Sequence, residues 1–193
     1  MHKKYDSRSE FFEDRIRQMA QEIAKLPKND VLNINEYEYI DYLENEYSLM
    51  PISIRRDEAE IFNPRQIRKE VRCNPYTHAI YGYGENDTIV YDGYEIKVAY
   101  PFEGDSILFF VRPNTFTIGG AVPKEIDIND RLGKVIVTIE CWDKDPNHFN
   151  NDKESIFNSK IAPLLTINPE VERFNEQLRS RIVSEFQKRK EEC

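Results

Sequence analysis

Apolar residues recur at helical spacing at the N-terminal end of the chain. They return every three or four positions and predict an amphipathic helix that ends near Leu26-Pro27. These residues are Phe12, Ile16, Met19 and Ile23. Ser7 and Glu10 form a capping-box pattern in front of this helix. A second helix is predicted behind a cap at Asn35, and its stripe is Tyr39, Ile40, Leu43 and Tyr47.

The C-terminal end is predicted to be helical as well. A helix from about Asn151 to Leu165 is expected to be disturbed by Pro163, because proline removes a backbone donor inside a helix. The last helix is predicted to start with Asn168 as its cap and Pro169 at the first helical position. Its apolar stripe is Val171, Phe174, Leu178, Ile182 and Phe186.

Between the helices the pattern changes to the alternation that is typical of strands. Asp92-Gly93 separates two β-rich runs, which indicates a two-residue hairpin turn that makes Tyr91 face Tyr94. Alternation then gives one buried face and one largely solvated face. The buried set is Ile89, Tyr91, Tyr94, Ile96, Val98 and Tyr100. The solvated set is Thr88, Val90, Glu95, Lys97 and Ala99.

Two further runs complete the predicted sheet. Residues 106–112 are apolar without alternation and predict a central strand, whereas 134–142 alternates again. One side of the strand predicted at 134–142 carries Val135, Val137, Ile139 and Cys141. The order of elements predicts an α+β fold in a single domain, 1–193. It consists of N-terminal helices (1–49), a central, mostly antiparallel β-sheet (50–142), and a turn with C-terminal amphipathic helices (143–193).

Composition narrows the classes of function. The chain has 193 residues, 39% of them hydrophobic, and a formal net charge of −8. Coating of nucleic acid is therefore not expected, although a local basic patch remains possible. No apolar run reaches the ~18–20 residues of a membrane span, and the start of the chain lacks the apolar stretch of a signal peptide. We expect a cytoplasmic protein without a membrane partner.

Residues that could carry catalysis are sparse. The cysteines are Cys73, Cys141 and Cys193, which lie far apart without a C-x-x-C pair. They suit a reducing compartment and argue against a thiolate zinc cluster. The histidines are His2, His78 and His148, and none lies in a nucleophile motif. The G-x-G at 82–84 has no third glycine and no following helix pattern. No catalytic residue and no cofactor are predicted.

One spacing resembles half of a two-metal nuclease site. Glu95-x-Lys97 matches the (D/E)-x-K element of PD-(D/E)XK nucleases, and Asp87 is the only sensible partner for it. In the predicted hairpin, Asp87 is in phase with Ile89 and leaves the sheet on the face opposite Glu95 and Lys97. The sequence therefore favours a solvated strand face over a nuclease site.

The segment 65–72 is the best candidate for a nucleic-acid-binding patch. If it is a helix, four cations share one face and could contact phosphates. They are Arg65, Arg68, Lys69 and Arg72. If it is a strand, one face carries Arg65, Ile67, Lys69, Val71 and Cys73, and the patch becomes ordinary surface. Nearby carboxylates weaken the local field, and the sequence leaves both alternatives open.

Residues 143–154 carry oxygen ligands at the positions that an EF-hand calcium loop uses. They are Asp143, Asp145, Asn147, Asn151 and Glu154. The loop nevertheless lacks the glycine at its sixth position, where it has His148, and it carries Pro146 and Asn150 at two other unsuitable places. A turn whose Asn151 or Asp152 caps a helix accounts for the same residues. No metal site is predicted here.

Three segments resemble a known group as a set. They are "YLENEYSLMPISI" (42–54), "YPFEGDSILFFVRPNTFT" (100–117) and "VERFNEQLRSRIVSEFQKRKE" (171–191). In this order they resemble the N-terminal region of largely uncharacterised bacterial proteins of prophage or phage-defence type. The resemblance implies a PD-(D/E)XK nuclease-like domain downstream of Cys193, so no catalytic residue is carried over to this chain.

These observations lead to three expectations about function. The first is a non-catalytic domain for sensing, oligomerisation or partner binding in a bacterial defence-type nuclease protein, with a protein partner or self-association. The second is a nucleic-acid-binding module that uses residues 65–72. The third is a calcium- or ligand-responsive module at 143–154.

Overall fold

The computed structural model describes residues 5, 7–72, 88–111, 126–141 and 146–193. The helices are α1 (Arg8–Ala24), α2 (Lys28–Asn33), α3 (Glu36–Tyr47), α4 (Pro146–Ile156) and α5 (Asn168–Glu191). The strands are β1 (Ser53–Ile54), β2 (Glu60–Ile61), β3 (Arg65–Arg72), β4 (Thr88–Glu103), β5 (Ile126–Asn129) and β6 (Lys134–Cys141). Helices thus precede and follow a sheet whose strand pairs are antiparallel, which confirms the α+β class.

The chain forms two compact units. Unit 1 comprises Met1–Ile54, Phe102–Pro123 and Ala162–Cys193, and unit 2 comprises Arg55–Pro101 and Lys124–Ile161. The assignment of the whole chain to a single domain stays a prediction.

Unit 1 is built on the packing of α1, α3 and α5. The Ser7 side chain accepts a hydrogen bond from the Glu10 N–H at 3.1 Å, which confirms the predicted cap of α1. The predicted stripe of α5 is buried along its whole length. Helices α1 and α3, which pack against α5, bury Met19, Ile23, Ile40 and Leu43. Burial of large aliphatic side chains of this kind is the main stabilising contribution, about 1.5–3 kcal/mol for each.

Side chains fix the backbone of residues 49–52 in unit 1. Asn175 bonds to both backbone polar atoms of Leu49, and Asn168 does the same with Ile52. Asn168 was predicted to cap α5, but the helix begins at this residue and its cap position is Ile167. The prediction is wrong because the amide group is already engaged with Ile52.

The short helix α2 was not predicted, and the central strand predicted at 106–112 is wrong over 106–110. Ser106–Phe110 form a turn of 3₁₀-helix rather than a central strand, and Val111 makes a single parallel bridge with Tyr5. Leu108 and Phe109 are fully buried in unit 1. A short apolar run without alternation suits a buried helical turn as well as a buried strand, so the pattern alone could not decide.

In unit 2, β4 forms most of the pairings. On one edge it pairs with β3 along Thr88–Glu95 and with β2 at Val98–Ala99, and on the other edge it pairs with β6 along Tyr94–Pro101. Strand β5 lies outside β6. One face of the sheet is apolar and packs against α4 and the π-helical turn Phe157–Ile161. Its buried residues are Val98, Tyr100, Val135, Val137, Ile139 and Cys141, which confirms the alternation predicted for 134–142.

The predicted hairpin at Asp92-Gly93 is wrong. These residues lie inside β4, where Asp92 pairs with Arg68 and Gly93 with Ile67. The local preference of Asp-Gly for a turn is outweighed by the hydrogen bonds of β4 with β3 and β6. These ladders satisfy many backbone groups that a hairpin would leave to solvent. Thr88 and Val90 therefore occupy the same face of the strand as Tyr94, the reverse of the predicted assignment.

The start of α4 also differs from the prediction. The helix begins at Pro146, so Asn151 and Asp152 lie in its interior and neither caps it. Proline suits the first helical turn because its missing N–H has no partner there in any case. The α-helix ends at Ile156, and Pro163 lies in the 3₁₀ turn Ala162–Ile167, in agreement with the expected disturbance.

Candidate functional site: the polar face of the sheet in unit 2

The face of the sheet opposite the apolar core of unit 2 carries cross-strand ion pairs. Arg65 on β3 pairs with Glu95 on β4 at 3.1 Å, because the two residues are direct partners in the ladder. Lys134 on β6 reaches Glu60 on β2 at 2.7 Å. On β4 the residue opposite Glu60 is the buried Ala99 and the residue opposite Lys134 is Pro101, so the pair reaches diagonally across β4 beside the short side chain of Ala99. Exposed pairs of this kind stabilise only weakly, about 0–1 kcal/mol each.

A third pair spans the sheet farther along. The Lys69 ammonium on β3 lies 3.5 Å from the Glu140 carboxylate on β6. According to the register, the line between these residues crosses β4 at Gly93. Glycine has no side chain that would stand between them, so the glycine of the supposed hairpin serves a close cross-strand approach instead.

A recess lies in this face, and we call it the Lys97 recess. It is lined by Phe62, Asn63, Arg65, Glu95, Lys97 and Thr138 and has a volume of about 410 Å³. The Phe62 N–H donates to the Lys97 carbonyl at 2.9 Å, which holds the segment after β2 against the middle of β4. Phe62 keeps 46% of its surface exposed, so an aromatic wall of the recess faces solvent.

Lys97 is the cation in the recess that has no partner. Arg65 is engaged by Glu95, whose side chain is only 19% exposed. The exposed ammonium of Lys97, in contrast, makes no hydrogen bond or ion pair with any residue that the structure describes. Thr138 on β6 lies directly across from Lys97 in the ladder. The recess therefore offers an ammonium group, a hydroxyl, an amide and an aromatic surface, which suits a ligand that combines a carboxylate with an apolar group.

The basic segment 65–72 is a strand, so the helical alternative is wrong. Arg65 and Lys69 share the polar face with Lys97, whereas Arg68 lies on the other face of β3, and alternation assigns position 72 to that other face too. Since Arg65 and Lys69 are each paired with a carboxylate, the four cations do not combine into one basic patch.

Asp87 was predicted to lie on the face opposite Glu95 and Lys97 because of the hairpin at Asp92-Gly93, which the chain does not form. Asp87 itself lies outside the described residues, as do His2 and His78, the G-x-G at 82–84, and Cys73. Glu95 and Lys97 do share one face of β4, as predicted. The carboxylate of Glu95 faces the Arg65 guanidinium, a cation that would compete with a metal for the same oxygens.

The candidate calcium ligands Asn147, Asn151 and Glu154 lie in helix α4 instead of a loop, and Glu154 forms an ion pair with Arg56. Asp143 and Asp145 lie outside the described residues. In the described ranges, no group of three or more His, Cys, Asp or Glu residues is placed to hold a metal ion. Likewise, no helix among the described residues has the length and apolar character to cross a membrane.

The Lys97 recess could not be predicted from the local sequence pattern. Its lining comes from β3, β4, β6 and the segment after β2, and the two-residue strand β2 is too short to leave a periodic pattern. The alternation of Glu95 and Lys97 did identify the solvated face, but the pairing that leaves Lys97 alone depends on the register of β3.

Comparison of the chain with protein-family models, with curated proteins and with solved structures finds no match in any of the three.

Proposed function

We propose that this chain is a non-catalytic, partner-binding domain, and that the Lys97 recess receives a carboxylate-bearing segment of a protein partner. The observation that carries the proposal is the unpaired Lys97 ammonium in a recess whose other charges, Arg65 and Glu95, neutralise one another. A partner carboxylate would bond to Lys97, and an adjacent apolar side chain would cover the exposed ring of Phe62.

The ion pairs on the polar face support a protein partner over a polyanion. Three cations of this face already neutralise carboxylates, so the face presents mixed charge instead of a positive stripe. Steering of nucleic acid needs a field of one sign over many ångströms. A short protein segment needs only one complementary charge and one apolar contact.

The pairing of Glu95 with Arg65 supports a non-catalytic role for the Glu95-x-Lys97 spacing. A two-metal nuclease uses its carboxylates as metal ligands, and a guanidinium bonded to one of them opposes metal binding there. We therefore assign no catalysis to Glu95 and Lys97.

The wider role is proposed on the resemblance of the three segments. In unit 1 their described parts contact one another, since Asn175 from the third bonds to Leu49 in the first and Asp105 from the second bonds to Met50 in the first. If the bacterial proteins of this group share the fold of unit 1, they need all three segments, because the segments contact one another. We propose accordingly that the chain is the binding domain of a bacterial, cytoplasmic, phage-defence type protein associated with a nuclease.

The experiment is a selection from a phage-displayed random peptide library on the immobilised full chain. We expect enrichment of peptides that carry Asp or Glu beside an aromatic or aliphatic residue. Binding should be lost with Lys97→Gln and with Phe62→Ala. The matched controls Lys160→Gln and Leu132→Ala, at exposed positions of unit 2, should retain it. Peptides that bind Lys97→Gln as well as the unchanged chain would overturn the assignment of the recess.

Two further assays separate the alternatives. With Mg²⁺ or Mn²⁺ we expect no cleavage of DNA or RNA, and cleavage that disappears with Glu95→Ala would contradict the non-catalytic role. With fluorescently labelled DNA or RNA we expect no binding that falls steeply with salt. Such binding, weakened by Arg68→Ala combined with Arg72→Ala, would favour the nucleic-acid-binding module instead.

A further inference from the structure

A groove between α1 and α5 in unit 1 is unrelated to the Lys97 recess. It has a volume of about 180 Å³ and an apolar floor with a charged rim. The floor is formed by Phe12, Ile16 and Phe174, and the rim by Glu13, Glu170, Arg173, Gln177 and Arg181. The rings of Phe12 and Phe174 lie 5.2 Å apart, so the two helices contact each other at the bottom of the groove.

The floor of the groove contains two residues that the sequence assigns to the core. Their spacing with Met19 and Ile23 predicted burial, but Phe12 and Ile16 are only half-buried, and Phe11 is buried in place of Phe12. The apolar stripe of α1 thus continues from the interior onto the surface. Half-exposed apolar residues at a spacing of four are a typical contact surface for another helix.

The rim of the groove carries an acid without a cation on the α1 wall, and cations without a carboxylate on the α5 wall, among the residues that the structure describes. Glu13 on α1 and Arg173 on α5 are both exposed, and neither side chain forms a hydrogen bond or ion pair with a described residue. Glu170, in contrast, is held by Arg8 at 2.7 Å. Arg181 has a single weak contact, with the Gln177 side chain at 3.4 Å.

This arrangement is complementary to itself. In a two-fold symmetric contact the same patch meets its own copy, so a patch with an acid on one wall and a base on the other can satisfy both charges at once. A partner of one charge would satisfy only one wall. We propose that two copies of this chain associate through the α1–α5 groove, where Phe12 and Ile16 pack on their counterparts and Glu13 pairs with the partner's Arg173.

The proposal is tested by sedimentation velocity over a wide range of protein concentration. We expect the unchanged chain to form a dimer whose dissociation increases with salt, because two of its contacts are ion pairs at the rim. Glu13→Arg and Arg173→Glu should each weaken the dimer about tenfold or more, since like charges then face each other. The double variant Glu13→Arg/Arg173→Glu should restore it, because the pairs are re-formed with reversed sign.

Three controls make the outcome decisive. Glu176→Arg reverses an exposed charge elsewhere on α5 and should leave the dimer unchanged. Glu13→Gln removes the charge with little change of shape and should weaken the dimer less than Glu13→Arg. Lys97→Gln should dimerise like the unchanged chain, and the groove variants should still bind the selected peptides. The dimer and the peptide site can therefore fail independently of each other. An unchanged chain that stays monomeric, or a double variant that does not recover, would overturn the proposal.

Discussion

The side-chain amide of Asn175 bonds to both backbone polar atoms of Leu49. Its Oδ1 accepts from the Leu49 N–H at 3.0 Å, and its Nδ2 donates to the Leu49 carbonyl at 2.7 Å. Asn168, seven residues earlier on the same helix, makes the equivalent pair of bonds to Ile52 at 3.0 and 2.7 Å. Helix α5 thus supplies the hydrogen bonds that a neighbouring strand would otherwise give to this irregular segment.

Replacement of Asn175 by Asp should destabilise unit 1. The change keeps the acceptor and the size of the side chain, but it puts a carboxylate oxygen against the Leu49 carbonyl and leaves that carbonyl without a donor. We expect a loss of about 2–3 kcal/mol in the free energy of unfolding, measured by urea denaturation. The same exchange at Asn151, which is exposed in α4, should cost less than about 0.5 kcal/mol. Equal losses at the two positions would contradict the role of the paired bonds.

Gly104 should tolerate no side chain. Its φ is +106°, and a Cβ at this position would lie 2.3 Å from the Pro51 carbonyl oxygen and 2.9 Å from the Ile52 Cα. Both neighbours are backbone atoms of the segment that Asn168 and Asp105 fix, so they do not move aside easily. We expect Gly104→Ala to cost more than about 3 kcal/mol in thermal or urea unfolding.

The comparison for Gly104 is Gly133, in the turn that precedes β6. Its φ of +58° lies in the ordinary left-handed region. There Gly133→Ala carries only the conformational cost of about 1–2 kcal/mol. A Gly104→Ala variant as stable as Gly133→Ala would show that the backbone of 50–52 can move away from the added Cβ, and it would contradict this prediction.

The hydroxyl of Tyr39 has an unfavourable environment. It is buried without a hydrogen-bond partner, whereas the Tyr47 hydroxyl donates to Glu22 at 2.7 Å. Tyr39→Phe should therefore leave stability at neutral pH unchanged or raise it by up to about 1 kcal/mol. Tyr47→Phe should lower stability by about 1 kcal/mol, because Glu22 loses a donor. Thermal unfolding of the two variants in parallel measures the difference, and a larger loss with Tyr39→Phe would contradict it.

Ionisation of Tyr39 should lower the stability of the protein in alkaline solution. Burial, followed by the nearby Glu22 carboxylate, raises the pKa of Tyr39 to about 12. The folded state therefore favours the neutral phenol. The stability that depends on this neutral form is fully present below the unfolded pKa of about 10 and is lost as the pH rises through about 12. Since the side chain is partly exposed, we expect the effect to be on the order of 1 kcal/mol or less. Tyr39→Phe should flatten the decline in stability between these pH values, and an unchanged slope would contradict the assignment.

The helices of unit 1 could be predicted well from the sequence where the apolar residues of one helix face are periodic and all of them are buried. The stripe of α5 follows helical spacing over its whole length, and every member is buried. The spacing did not distinguish Phe11 from Phe12 in α1, because adjacent phenylalanines fit the same face almost equally well. Which of them turns inward depends on partners such as Tyr5, whose ring lies 5.0 Å from that of Phe11.

The sheet was less predictable because its pairings join distant parts of the chain. Asp92-Gly93 is a strong local turn signal, but β4 finds its partners in β3 and β6, which local pattern cannot reveal. The same dependence on register hid the Lys97 recess. Whether Lys97 has an acidic neighbour is decided by the position of β3, which brings Arg65 to Glu95 and leaves Lys97 alone.

The most direct test of the proposed function is the affinity of one selected peptide for matched lysine variants. Isothermal titration of the full chain should give about a tenfold weaker Kd for Lys97→Gln than for the unchanged chain, since a charge-assisted contact contributes about 1–2 kcal/mol. Lys160→Gln should bind like the unchanged chain. If Lys97→Gln binds with unchanged affinity, the Lys97 recess is not the site at which this domain receives its partner.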